Sequence, residues 1–184
     1  MAAIAAGLNF STLSSEGFAL NLCTTVDTVN HPEYPSTPVA FGTETIGMDG
    51  SKWIYGKPAS NYAIGTVGYF DTSWNFTALT STNAANVSGQ KVGVMSQVAS
   101  VTASPSSTLY DGVWVQTDGL CPGIQVAAST AANTQLYTSA TAGQLTTTST
   151  SNVAINGIVL TTAAGGSAGV APGSLQEAEV ALTS

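Results

Sequence analysis

The sequence predicts an all-β protein, a small barrel or sandwich of short antiparallel strands preceded by an extended N-terminal arm. Two observations carry the β reading. From residue 49 onward, short runs rich in Val, Ile, Thr and aromatic residues are separated by turn residues at close spacing. Val113-Trp114-Val115-Gln116-Thr117 alternates in chemistry as a half-buried strand does. A third observation carries the arm: His31-Pro32-Glu33-Tyr34-Pro35-Ser36-Thr37-Pro38 packs prolines too densely for a helix and favours an extended path.

The elements follow in order. Residues 1–48 lack clear periodicity and are read as an arm, either reaching a neighbouring subunit or lying on its own domain. Residues 49–184 are read as the β-domain. Asp49-Gly50 predicts a tight turn before the strand Lys52-Trp53-Ile54-Tyr55. Val67-Gly68-Tyr69-Phe70 and Phe76-Thr77-Ala78-Leu79 flank Asp71-Thr72-Ser73-Trp74-Asn75, a hairpin loop. Val92 to Met95 and Gln97 to Val101 continue the pattern. Asp111-Gly112 and Asp118-Gly119 are read as turns bounding the strand at 113–117. Ile124-Gln125-Val126, Gln135-Leu136-Tyr137 and Gly157-Ile158-Val159-Leu160 complete the set. In the tail, Ser174 with Glu177 forms a capping-box pattern that permits a two-turn helix, and an edge strand over 178–182 is the alternative.

An internal echo accompanies these strands. Ala63-Ile64-Gly65-Thr66-Val67-Gly68-Tyr69 is matched by Ala131-Ala132-Asn133-Thr134-Gln135-Leu136-Tyr137. Leu79-Thr80 is matched by Leu145-Thr146, Asn86-Val87 by Asn152-Val153, and Gly93-Val94 by Gly157-Ile158. The repeat is longer than a solenoid unit. It reads as one hairpin unit occurring twice, with both copies packed in one barrel.

Composition narrows function. The 184 residues are 43% hydrophobic and only 7% charged, with a formal net charge of -7; an ordinary soluble domain is about 25% charged. Roughly two residues in five are Thr, Ser or Ala, far above usual levels. The only basic residues besides His31 are Lys52, Lys57 and Lys91. That excludes nucleic acid, whose phosphates demand a basic surface, and anionic lipid for the same reason. No apolar run reaches the length of a membrane-spanning helix. A mean hydropathy of +0.23 argues for a folded chain. A chain without a charged coat belongs in an assembly or outside the cell. The stretch Met1 to Leu8 lacks the basic first segment of an export signal and is interrupted by Asn9, so it reads as an apolar arm.

Chemistry is sparse. His31 is the sole histidine, beside Pro32, and no Gly-x-Ser-x-Gly elbow occurs. Asp49, Asp111 and Asp118 each precede Gly, where turn chemistry accounts for them. No calcium-type acid cluster, phosphate-binding glycine loop or zinc spacing is present. Cys23 and Cys121 are open to two readings, a disulfide or two buried thiols. The Asn-x-Ser/Thr matches at Asn9, Asn75 and Asn86 are common in so Thr-rich a chain. The expectation is no enzyme, no cofactor and no metal. Trp53 and Trp114 sit on strands and are expected in the core. Trp74, in a loop, is the exposed aromatic that could meet a partner or a glycan. With Ile4, Leu8 and Phe10 of the apolar arm it forms the set of candidate partner-contact residues.

Four stretches resemble the small structural proteins of tailed bacteriophages: Gly47-Met48-Asp49-Gly50-Ser51-Lys52-Trp53-Ile54-Tyr55-Gly56-Lys57-Pro58-Ala59-Ser60, Val113 to Gly119, Ala131 to Leu145, and Ile155 to Ala163. The resemblance spans residues 42–172 and is to head decoration, or capsid cement, proteins. It implies a β-rich subunit, often a homotrimer, bound to the major capsid protein on the capsid exterior of the virion. The segment before residue 42 departs from the pattern. The rival reading is a carbohydrate-binding or adhesion β-module on a phage tail or cell surface. A tail-tube or major shell subunit would need a longer chain or another fold.

Overall fold

The computed structural model describes residues 24–27, 40–95, 100–101 and 109–182. It is all-β apart from one helical turn. The strands are β1 (Thr24–Asp27), β2 (Glu44–Ile46), β3 (Lys52–Pro58), β4 (Tyr62–Ala63), β5 (Val67–Phe70), β6 (Asn75–Ala78), β7 (Val92–Val94), β8 (Ser100–Val101), β9 (Leu109–Val126), β10 (Leu136–Thr138), β11 (Leu145–Thr146), β12 (Ala154–Leu160) and β13 (Gly169–Val180). The helical turn α1 (Ser81–Ala84) lies between β6 and β7.

The pairings trace two closed circuits of five strands that share β9. In the first, β3 runs parallel to β6. β6 pairs antiparallel with β5, β5 with β7, β7 with β9, and β9 with β3. In the second, β9 runs parallel to β11. β11 pairs antiparallel with β10, β10 with β12, β12 with β13, and β13 with β9. Read along the chain, the first strand is parallel to the third, the third pairs with the second, the second with the fourth, the fourth with the fifth, and the fifth with the first. The order is identical in both circuits.

The echo is therefore architectural, but the two copies lie in separate circuits that share β9 rather than packed in one barrel; their local geometry repeats. Gly65 and Asn133 both have positive φ, 81° and 55°, the region that Gly and Asn tolerate best. The Thr66 hydroxyl donates to the Ala63 carbonyl at 2.8 Å, and Thr134 donates to Ala131 at 3.1 Å. The Asn86 amide donates to Asn83 at 3.0 Å and the Asn152 amide to Ser149 at 3.1 Å. Leu79 and Leu145 are both buried, and Val87 and Val153 both pack on the same core.

That core fills the second circuit with Cys121, Ile124, Leu136, Leu145, Ile155, Ile158, Leu160, Leu175 and Val180, and extends to Val67, Val92 and Val94 of the first. A second cluster, Ile54, Phe70, Phe76, Met95, Val113 and Val115, fills the first circuit. Because strand side chains alternate, Trp53, Tyr55 and Trp114 point to the opposite face and form a third cluster under Phe41. Phe41 stacks on Tyr55 at 5.5 Å between centroids, and Tyr55 meets Trp114 at 5.1 Å. The sequence placed Trp53 and Trp114 inside, and both are buried.

Several boundaries differ from the sequence reading. Asp111-Gly112 and Asp118-Gly119 are not turns. Both lie within β9, which runs unbroken to Val126 and takes in the strand expected at 124–126. Gly112 is there because a Cβ would overlap the Tyr55 ring. The β3–β9 register shifts between Gln116 and Asp118, a bulge with Thr117 as the extra residue, and Gly119 follows it at φ 96°. The tail is a strand rather than a helix, and it is not at an edge: Glu179 and Val180 pair with β12 on one side and meet residues 89–91 on the other. The pairing of β3 with β6 and of β9 with β11 is parallel, so the barrel is not purely antiparallel. The folded region also reaches back before residue 49. Glu44–Ile46 pairs with Lys52–Ile54, and β1 pairs with residues 109–112. Asp49-Gly50 is the expected turn: Gly50 has φ 85°, and the Asp49 carboxylate accepts from the Ser51 amide at 3.0 Å.

Candidate functional site

Of the four candidate contact residues, Ile4, Leu8 and Phe10 lie outside the described residues, as do His31 and Cys23. Trp74 is described. It occupies the β5–β6 hairpin loop, which Asp71 organises. The Asp71 carboxylate accepts from the Ser73 amide at 2.8 Å, the Asn75 amide at 2.9 Å and the Asn75 side chain at 2.7 Å. Burial by itself would raise the Asp71 pKa; the hydrogen bonds outweigh it and hold the carboxyl below its ordinary value. The loop closes with the Trp74 amide donating to the Asp71 carbonyl at 3.0 Å. This forces Trp74 to φ 63°, a conformation rare for a bulky residue. The indole lies over Gly42, where a Cβ would collide with it, and meets Phe70 edge-on at 6.1 Å. It keeps 36% exposure, so the loop presents a pinned, partly open aromatic.

The charges gather along the seam between the circuits. Lys52 Nζ meets Glu177 Oε1 at 2.6 Å, and Lys91 Nζ meets Glu44 Oε1 at 2.9 Å. Asp118 accepts from the Glu177 amide at 3.2 Å, and the Lys91 backbone pairs with that of Glu179 in an isolated antiparallel bridge. The hydrogen bond and charge of Glu177 raise the Lys52 pKa, and Lys52 lowers that of Glu177. Both side chains are exposed, so this is a screened surface pair of small energetic consequence. These charges are spent on one another and on the seam. A shallow groove lined by Glu44, Thr45, Ile46 and Lys52 runs beside them.

Cys121 is a free, buried thiol. Burial pushes its pKa up to about 11, against a weak contact to the Gly123 carbonyl at 3.5 Å. A thiol held so far from its thiolate is a packing group rather than a nucleophile. Among the described residues no group of three or more His, Cys, Asp or Glu side chains is placed to hold a metal ion, and no helix is long and apolar enough to cross a membrane.

The sequence reading missed one surface. On the outer face of the second circuit, Ser174 of β13 is the register partner of both Leu120 on β9 and Val159 on β12. Leu120 is 75% exposed, Val159 41% and Val170 58%. Pro122 and Pro172 are exposed on the same strands. The signal that could have found it is in the sequence: residues 119–176 contain no Asp, Glu, Lys, Arg or His. Comparison of the chain with family models, with curated proteins and with solved structures finds no match.

Proposed function

We propose that this chain is a decoration, or cement, subunit on the capsid exterior of a tailed-phage virion, bound to the major capsid protein and to copies of itself as a homotrimer, and that it is a structural protein rather than an enzyme. The observation that carries this reading is the resemblance of four stretches to head decoration proteins. In the fold they are not scattered loops: they supply the turn before β3 and β3 itself, the middle of β9, the β10–β11 unit and β12.

The physical character of the surface supports it. A subunit that bridges capsomers binds only the closed shell, and so stabilises it by mass action. Like-charged copies crowded on a shell repel one another, which favours a surface poor in charge. Here the charges of the seam are largely paired. Association that rests on apolar area and backbone pairing depends weakly on salt.

The experiment is to purify particles, strip the protein and add it back. The reading expects co-purification in near-stoichiometric ratio to the main shell protein. It expects stripped particles to break at lower temperature or osmotic stress, and re-addition to restore them at low and high salt alike. Equally robust stripped particles would overturn it in favour of adhesion, the reading that the partly open Trp74 ring favours. In that case Trp74→Ala should abolish glycan binding.

A further inference from the structure

We propose that the outer face of the second circuit, centred on the Leu120–Ser174–Val159 row, is a contact surface between copies of this chain. This goes beyond the shell-binding reading by naming the surface, and it holds whether or not a capsid is the partner.

The two circuits supply the argument. On β3 and the first half of β9, the outward positions are Trp53, Tyr55, Trp114 and Gln116, all buried. The chain covers them itself: Phe41 stacks on Tyr55, the Gly42 amide donates to the Tyr55 carbonyl at 2.7 Å, and the Tyr55 amide donates to Thr43 at 2.9 Å. The matching strands of the second circuit are the latter half of β9 and β13. Their outward positions are Leu120, Pro122, Pro172 and Ser174, beside Val159 and Val170. Leu120 stands more exposed than Val159 or Val170, and Val170 stays more than half exposed although Gly65 packs against it. The side chains are short and aliphatic where the first circuit has large rings. Exposed apolar area of this kind gains about 25 cal/mol per Å² when covered.

Charge selects the occupant. The chain carries -7, so two copies repel wherever their acids come close. At physiological salt that repulsion fades over about 8 Å. The face built from residues 119–176 has no ionisable acid or base of its own. The seam charges Lys52, Asp118 and Glu177 lie at its edge. A partner with a charged surface would leave its own ions unmatched and desolvated here, which is costly. A second copy brings the same uncharged, apolar strands, and a patch that meets itself closes a two-fold pair, a contact separate from the three-fold contact of the homotrimer.

The test uses the full chain without particles, in sedimentation across a dilution series. The wild type should show a mass that rises with concentration. Leu120→Lys and Leu120→Glu should each weaken association about tenfold or more, because either charge must be desolvated in the contact. Ser60→Lys, exposed on the first circuit, should leave it unchanged. The lysine variants carry less net negative charge, so if Leu120→Lys strengthened association while Leu120→Glu weakened it, long-range repulsion and not this contact would be at work. Circular dichroism checks folding, and Val159→Lys gives an independent second variant. A wild type that sediments as a monomer throughout overturns the proposal. So does an oligomer indifferent to all three face variants, or one that is lost only when residues 2–23 are deleted. Failure of shell binding with association intact would strike the capsid reading alone.

Discussion

The two circuits have the same strand order and the same Thr-closed turn before their second strand, yet they treat their outer faces in opposite ways. The first carries Trp53, Tyr55 and Trp114 and hides them under Phe41. The second carries Leu120, Pro122 and Pro172, which stay exposed among the described residues. The interiors differ less: Ile54 of β3 and Cys121 of β9 both point into cores. One architecture thus tolerates two surfaces, because a strand's inward residues fix the barrel while its outward residues are free to answer to whatever covers them.

The largest effect should come from attacking the covered face. Trp114→Ala should cost about 3–5 kcal/mol in urea unfolding, as deletion of a buried large aromatic does. Pro172→Ala, at the matching position of the bare face, should fall within about 0.5 kcal/mol. Similar losses from both would show that the second face is covered within the single chain after all.

Overpacking comes next. Gly112→Ala drives a methyl group into the Tyr55 ring and should cost about 1–3 kcal/mol by the same measurement. Val170→Ala, at the matching and exposed site of the second circuit, should be close to neutral. Equal stability of Gly112→Ala would mean that the Phe41–Tyr55–Trp114 stack has slack.

A smaller difference lies in the loops. Asp71 ties the first hairpin with a carboxylate, whereas Ser139 ties the corresponding loop with a hydroxyl that accepts from the Thr141 amide at 3.1 Å. The folded Asp71 pKa lies below the ordinary value of 3.8. Its contribution is therefore complete above that value and is lost as pH falls through the folded pKa. Acidification should speed amide exchange at Ser73 and Asn75 but not at Thr141, beyond the intrinsic change. Asp71→Ala should cost about 1 kcal/mol, reduced by the loop's exposure. Equal acid response in both loops would remove the distinction.

The smallest expected signal is a silence. With its pKa at about 11, Cys121 in a Cys23→Ser background should resist alkylation at pH 8 until the protein unfolds. Prompt reaction in the native state would show that the second core opens more readily than its packing implies.

What could be read from the chain was local. Asp49-Gly50, the Asp71 loop, the strand at 67–70 and the buried tryptophans follow from turn chemistry and alternation within a few residues. The echo was also legible, because the same turn needs a residue tolerant of positive φ followed by Thr at Gly65-Thr66 and at Asn133-Thr134. Other features depended on partners far away in sequence. Gly112 looks like a turn glycine until the Tyr55 ring is seen above it. β13 hides its period because Glu177, at φ 45°, shifts the buried positions from Ala171, Gly173 and Leu175 to Ala178 and Val180. The bulge opposite it is made by Gly157, where a Cβ would collide with the Gln176 carbonyl. The bare face, too, was visible only in part. The run without charge from 119 to 176 is sequence, but which of its residues point outward was decided by register across three strands. Composition sets what a surface can be made of, and long-range pairing sets which residues become surface.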